Sequence, residues 1–96
     1  MDLVKHPGLV FKKLIKTFGI TQDDAATALG VSRFTISQII NCHRAITPAM
    51  ALRISKVFGT TPEYWMEMQC AFELSVERIN PDLNLDALVP LTPKTE

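Results

Sequence analysis

Cysteine is scarce, with Cys42 and Cys70 the whole complement of the 96-residue chain. Neither belongs to a C-x-x-C pair, which excludes a disulfide framework and the usual spacings of structural zinc or dithiol redox chemistry. Both are read as free thiols of a reducing cytoplasm. Long apolar runs are missing too, and no stretch approaches the roughly 20 residues that cross a bilayer. The N-terminus carries Asp2 and no extended apolar segment, so it does not read as a secretory signal and the chain is expected to stay cytoplasmic, away from membranes. Catalytic motifs are equally absent. His6 and His43 stand on different segments without partners, and no H-E-x-x-H, G-x-S-x-G or glycine-rich phosphate loop occurs. The sequence therefore predicts no enzyme activity, no metal site and no cofactor.

Net charge is lacking as well, with ten basic side chains against ten acidic. Taken as an average, that argues against a polyanionic partner. The distribution is uneven, however. Residues 1–58 hold eight basic residues and only three acids (Asp2, Asp23, Asp24), a net +5, and residues 59–96 carry −5. One end then suits a polyanion and the other a basic partner, or both are simply solvated helix faces. Charge alone leaves the two readings open.

What the chain does have is apolar residues at helical spacing. Hydrophobic residues make up 47% of it, enough for one core, and the pattern predicts an all-α fold of five helices over residues 1–77 with an extended tail over 78–96. After the break at His6-Pro7-Gly8, Phe11, Leu14, Ile15 and Phe18 mark a first amphipathic helix that Gly19 stops. Thr21 caps a second, with Asp23 and Asp24 in its first turn and Ala25, Ala26 and Leu29 facing inward. Gly30-Val31-Ser32 is the whole connection to a third helix from Arg33 to about Asn41, whose apolar face is Ile36, Ile39 and Ile40. Thr47-Pro48 and Thr61-Pro62 each pair a hydroxyl cap with proline at the first helical position and start two further helices. Met50, Ile54, Val57 and Phe58 line the fourth.

The fifth helix, Pro62 to about Glu77, has more apolar residues than one stripe can hide. Trp65, Met68 and Phe72 face the core, whereas Tyr64, Met66, Cys70 and Leu74 lie partly outside and predict a subunit interface. Beyond it, Pro81, Pro90 and Pro93 rule out a long helix, and the alternation of Leu83, Leu85, Ala87, Val89 and Leu91 with polar residues reads as extended chain, with room for a short helical turn at 85–89. Residues 92–96 read as a frayed end.

Two short helices joined by a tight glycine-containing turn project the later one from the body, the arrangement that enters a major groove. The third helix carries Arg33, Phe34, Ser37 and Gln38 away from its isoleucines. Arginine can donate twice to guanine, glutamine can pair with adenine, and an exposed aromatic can press on a thymine methyl, so these four are the candidate base readers. Gln22, Ser32, Asn41, His43 and Arg44, at helix ends, are the candidate phosphate contacts.

These same segments resemble a known family. His6-Pro7-Gly8, Gln22 to Ala26, Leu29 to Arg33, Ile36-Ser37, Ile39 to Asn41, Arg44 to Pro48, Met50 to Arg53, Trp65 and Gln69 are similar to the Xre-type, λ-repressor-like helix-turn-helix proteins, and within them to the HigA (VapI) antitoxins. The resemblance spans residues 6 to about 74. It implies a homodimer that binds double-stranded DNA at a palindromic operator, represses its own operon and neutralises a HigB-type toxin, a small basic ribonuclease. By position it places base reading at Arg33, Phe34, Ser37 and Gln38. A solitary regulator without a toxin, or an interaction module without an operator, are the other readings. Three residues depart from the family pattern: Leu9 stands where glutamate is common, His43 where a stronger base is common, and Cys42 where glycine normally ends the third helix in a left-handed conformation that a β-carbon disfavours.

Overall fold

The computed structural model describes residues 4–94. Five α-helices follow one another: α1 (Pro7–Thr17), α2 (Gln22–Leu29), α3 (Arg33–Ile40), α4 (Pro48–Phe58) and α5 (Pro62–Arg78). Asp2 of the N-terminal reading, and Thr95 and Glu96 of the predicted frayed end, lie outside the described residues. Each start has a local cause. The hydroxyls of Thr21, Ser32, Thr47 and Thr61 accept backbone N–H groups of the first turns that have no carbonyl partner within the helix. Thr21 and Asp24 close a reciprocal capping box, at 3.0 Å and 3.2 Å.

The core is built around Phe11 of α1, fully buried and edge-on to both Phe58 of α4 and Trp65 of α5, each at 6.0 Å between ring centres. Ile36, Ile39 and Ile40 of α3, Ala25, Ala26 and Leu29 of α2, and Ile54 of α4 complete it. Trp65 satisfies its indole N–H on the Thr60 hydroxyl at 2.7 Å, which removes the penalty of burying that donor. Ile46, in the connection between α3 and α4, is as buried as any helical residue. Its backbone N–H donates to the buried Gln69 Oε1 at 2.8 Å, so α5 holds the connection in place.

Four expectations change. His6-Pro7-Gly8 begins α1 instead of preceding it: His6 is the N-cap, and its Nδ1 accepts the Gly8 N–H at 2.9 Å. Phe18 sits at the C-terminal end of α1, half out of the core, and leans on Phe58 at 4.9 Å. On α4 the inward positions are Met50, Ala51, Ile54 and Phe58, because Val57 falls on the flank and borders solvent beside Ala28, Leu52 and Lys56. The tail has no long helix, as expected, and of its two 3-10 turns, Pro81–Leu83 and Leu85–Ala87, the second falls where a short helical turn had room, so that only the first departs from the expectation. The first follows from Asn80, whose side chain caps Asp82 N–H at 3.0 Å just before Pro81.

Helices α1 and α3 come very close at Gly8. A β-carbon there would overlap the backbone carbonyl oxygen of Ile39, in the last turn of α3. Backbone meets backbone at this point, with no side chain able to yield. Gly8→Ala would ordinarily stabilise a helix, so the sign of the effect is diagnostic. It should destabilise by about 1–3 kcal/mol, read as a fall in Tm of roughly 4–8 °C per kcal/mol for a domain this size.

His6 is buried against the edge of Phe72 at 4.8 Å between ring centres. Burial pushes its pKa below the ordinary 6.5, and Glu73 opposes the shift in part. With the folded value depressed, the unfolded chain takes up the proton first, so stability is whole above about pH 6.5 and is lost as pH falls from there through the folded value. Thermal unfolding between about pH 7.5 and 5.5, above the carboxylate range, should show this loss, and His6→Asn, which keeps a capping oxygen, should flatten it.

Candidate nucleic-acid interface

The two-helix unit is locked from both sides of its turn. Gly30 takes a left-handed φ of 69°, and the N–H groups of Gly30 and Val31 return to the carbonyls of Thr27 and Ala26 at 3.2 Å and 3.0 Å, the paired bonds that end a helix in a Schellman motif. Arg53 of α4 donates to the Leu29 carbonyl at 2.8 Å, covering another free acceptor at that end. Ser32 then caps α3 through Thr35 N–H at 3.1 Å. With Ile36, Ile39 and Ile40 buried, the rotation of α3 about its axis is set.

At 100° per residue, the direction opposite those isoleucines is that of Phe34. It is 64% exposed and reaches no core. Ser37 and Gln38 flank it, half-buried, and Arg33 is exposed at the N-terminal edge. Phe34, Ser37 and Gln38 therefore lie on one outward arc, whereas Arg33, seven residues before Ile40, falls on that isoleucine's side of the helix and is exposed by its place in the first turn. Arg33 makes an ion pair with Asp23 of α2, Nη1 to Oδ2 at 3.5 Å. Both side chains are more than 60% exposed, and such a pair contributes little stability. It places a carboxylate beside Arg33 at the N-terminal end of α3.

The five predicted phosphate contacts separate into three places. Gln22, at the start of α2, shares a shallow depression with Lys12 and Lys16 of α1, two cations that the sequence offered no reason to single out from Lys5 or Lys13. Asn41 and His43 stand at the C-terminal end of α3, Asn41 donating to the Ser37 carbonyl at 2.9 Å. Arg44 does not join them. Its side chain runs back along α3, and Nη1 reaches the Thr35 hydroxyl at 3.1 Å, beside Ser32. Chain order had suggested the opposite end of the helix, since a seven-atom side chain's direction cannot be read from spacing.

The end of α3 repeats the closure seen at Gly30, now with a side chain present. Cys42 N–H returns to Ile39 at 3.0 Å and His43 N–H to Gln38 at 2.8 Å, and Cys42 has a φ of 63°. The departure noticed in the sequence thus falls on a left-handed residue. On α5, Tyr64, Cys70 and Leu74 are exposed, whereas Met66 is half-buried against the core and offers less of itself to a partner. Gln69, buried on the inner face, is structural.

This arrangement matches known proteins. A family model described as Helix-turn-helix covers residues 11–65. The chain belongs to the Xre-like helix-turn-helix family. The family comprises DNA-binding antitoxins and regulators, not enzymes. The chain is 42% identical to Virulence-associated protein A' of Dichelobacter nodosus over 71 residues, 73% of this chain and 62% of that protein, so it spans less than two thirds of that relative's length. The structural neighbours include HigA antitoxins. An addiction-module antidote protein of the HigA family from Coxiella burnetii superposes with a TM-score of 0.84 at 27% identity, covering 95% of this chain and all of that one. Pseudomonas aeruginosa antitoxin HigA with the higBA promoter also gives 0.84, at 28% identity over 93% and 99%. Among the described residues no helix is long and apolar enough to cross a membrane.

For this helix-turn-helix chain, Cys42→Gly should relieve the left-handed stop of α3. The expected gain is up to about 1 kcal/mol, less the burial that the half-buried thiol gives up, and urea unfolding of the two proteins side by side measures it.

Proposed function

We propose that this protein is a DNA-binding antitoxin of the HigA type, which represses its own operon and neutralises a HigB-type ribonuclease toxin. The observation that carries the DNA-binding part is the fixed outward arc of α3: Phe34 at its apex, with Ser37 and Gln38 beside it and Arg33 exposed in the first turn, on a helix whose rotation is set by three buried isoleucines. The Pseudomonas relative of the same fold, described with its promoter, supports the same reading.

In this reading α3 enters the major groove. Arg33 and Gln38 donate to base edges, Phe34 contacts a thymine methyl, and Ser37 approaches the same edges. Ser32, Arg44, Gln22, Asn41 and His43 contact phosphates and fix register. Arg33 must exchange Asp23 for a base, which at this exposure costs little. Two chains pair through the outer face of α5 (Tyr64, Met66, Cys70, Leu74) and the tail, placing two α3 helices about 34 Å apart on a palindromic operator. The acidic second half, net −5 over residues 59–96, is the complement a basic toxin would need.

Fluorescence anisotropy against the protein's own upstream DNA and an unrelated duplex, at two salt concentrations, tests the assignment. Tight, salt-sensitive and selective binding at two chains per duplex is expected. Arg33→Ala should cost about 1–3 kcal/mol and relax base choice, whereas Arg44→Ala should weaken both duplexes alike and lower the salt slope by about 1. Adding the product of the adjoining reading frame should alter the titration if that product is the toxin. Weak, salt-insensitive binding equal for both duplexes would remove DNA from the function and leave a protein-interaction module.

A further inference from the structure

We propose that Thr35 is the residue that positions Arg44, so that Ser32, Thr35 and Arg44 grip one backbone phosphate as a unit; the proposal rests on the DNA-binding reading above. Arg44 belongs to the connection after α3, yet its guanidinium lies at the opposite end of the helix. The Thr35 hydroxyl receives it there, accepting from Nη1 at 3.1 Å. The same hydroxyl is 3.0 Å from Ser32 Oγ, and Ser32 Oγ accepts the Thr35 backbone N–H at 3.1 Å.

Counting hydrogens shows what the cluster offers outward. A guanidinium only donates, so the Thr35 oxygen is an acceptor toward Arg44. The Ser32 oxygen is an acceptor toward the backbone of Thr35. The contact between the two hydroxyls uses one of their two O–H hydrogens, whichever residue supplies it. One O–H therefore stays unspent, beside the remaining N–H groups of Arg44. Three of the four hydroxyl lone pairs are engaged within the cluster, so what it leaves unspent is chiefly donors, the composition a phosphate oxygen requires.

Charge favours the same ligand. Arg33–Asp23 is the one ion pair among the described residues, so no carboxylate neutralises Arg44. Ser32 and Arg44 are exposed and Thr35 is half-buried behind them, with Ile39, Thr47 and Met50 lining the adjoining depression. An arginine already held in this position gives up less rotamer freedom on meeting DNA than a free one. Thr35 is thus separable from the cap of α3. Ser32 caps through the backbone N–H of Thr35, which valine, serine or alanine at that position leaves in place.

The test is a double-mutant cycle on DNA binding, with Thr35→Val, Arg44→Ala, the double variant and Thr35→Ser, each titrated against the upstream and the unrelated duplex over a range of salt. Thr35→Val should weaken both duplexes equally, by up to about tenfold, and reduce the salt slope by about 0.9, one phosphate. It should have no further effect once Arg44 is alanine, and Thr35→Ser should restore binding. Should Thr35→Val fail to fold, Thr35→Ala closes the same cycle. Equal losses in the presence and absence of Arg44, an unchanged slope, or a loss confined to the upstream duplex would overturn the proposal while leaving DNA binding intact. Salt-independent binding by the unmodified protein would overturn the DNA reading and this proposal together.

Discussion

The contact on which the rest of the structure depends is the one without side chains, where the first turn of α1 lies against the last turn of α3 at Gly8 and Ile39. Helix packing through side chains leaves some freedom, because rotamers adjust. Backbone against backbone leaves very little. His6 and Pro7 serve this approach, His6 by capping the turn through Nδ1 and by resting on Phe72 of α5. Pro7, fully buried, fixes the backbone where the chain enters. Gly8 thereby ties the end of the recognition helix to α1, and the burial of Phe11 between α4 and α5 ties α1 to the remainder.

The polar residues around α3 divide the labour in a way their types alone do not reveal. Arg53 looks like a phosphate ligand but completes the end of α2 through the Leu29 carbonyl. Gln69 looks like a surface residue but secures the Ile46 N–H in the interior. Arg33 is restrained by a carboxylate on the neighbouring helix, whereas Arg44 is restrained by a neutral hydroxyl that leaves its charge available. A carboxylate partner makes approach to DNA an exchange of ligands, and a hydroxyl partner makes it a gain.

Most of the fold was legible before any coordinates, since its signals are local. Hydroxyl caps, prolines at first helical positions and glycine stops are read within a few residues, and they placed all five helices. The exposure of Phe34 was legible for the same reason, because three isoleucines on an eight-residue helix define its opposite side. Misread features depended on distance in the chain. Nothing near His6 announces that Phe72 covers it. Nothing near Ile46 announces Gln69. The return of Arg44 to Thr35 is a matter of side-chain direction, which spacing does not encode. Val57 failed for a different reason, since a helical stripe is broad and its edge residue lay just outside the buried sector.

The dependence of α1 on α5 has a consequence for how the protein comes into being. Synthesis proceeds from the N-terminus, so α1, α2 and α3 leave the ribosome well before the residues that complete their surroundings. Phe11 waits for Phe58 and Trp65, His6 for Phe72, and the segment bearing Ile46 for Gln69. A nascent chain released early would carry all of α3 without the contacts that complete its surroundings. The order of translation therefore makes the last helix the checkpoint for the third, and only a chain extended through α5 presents a finished surface.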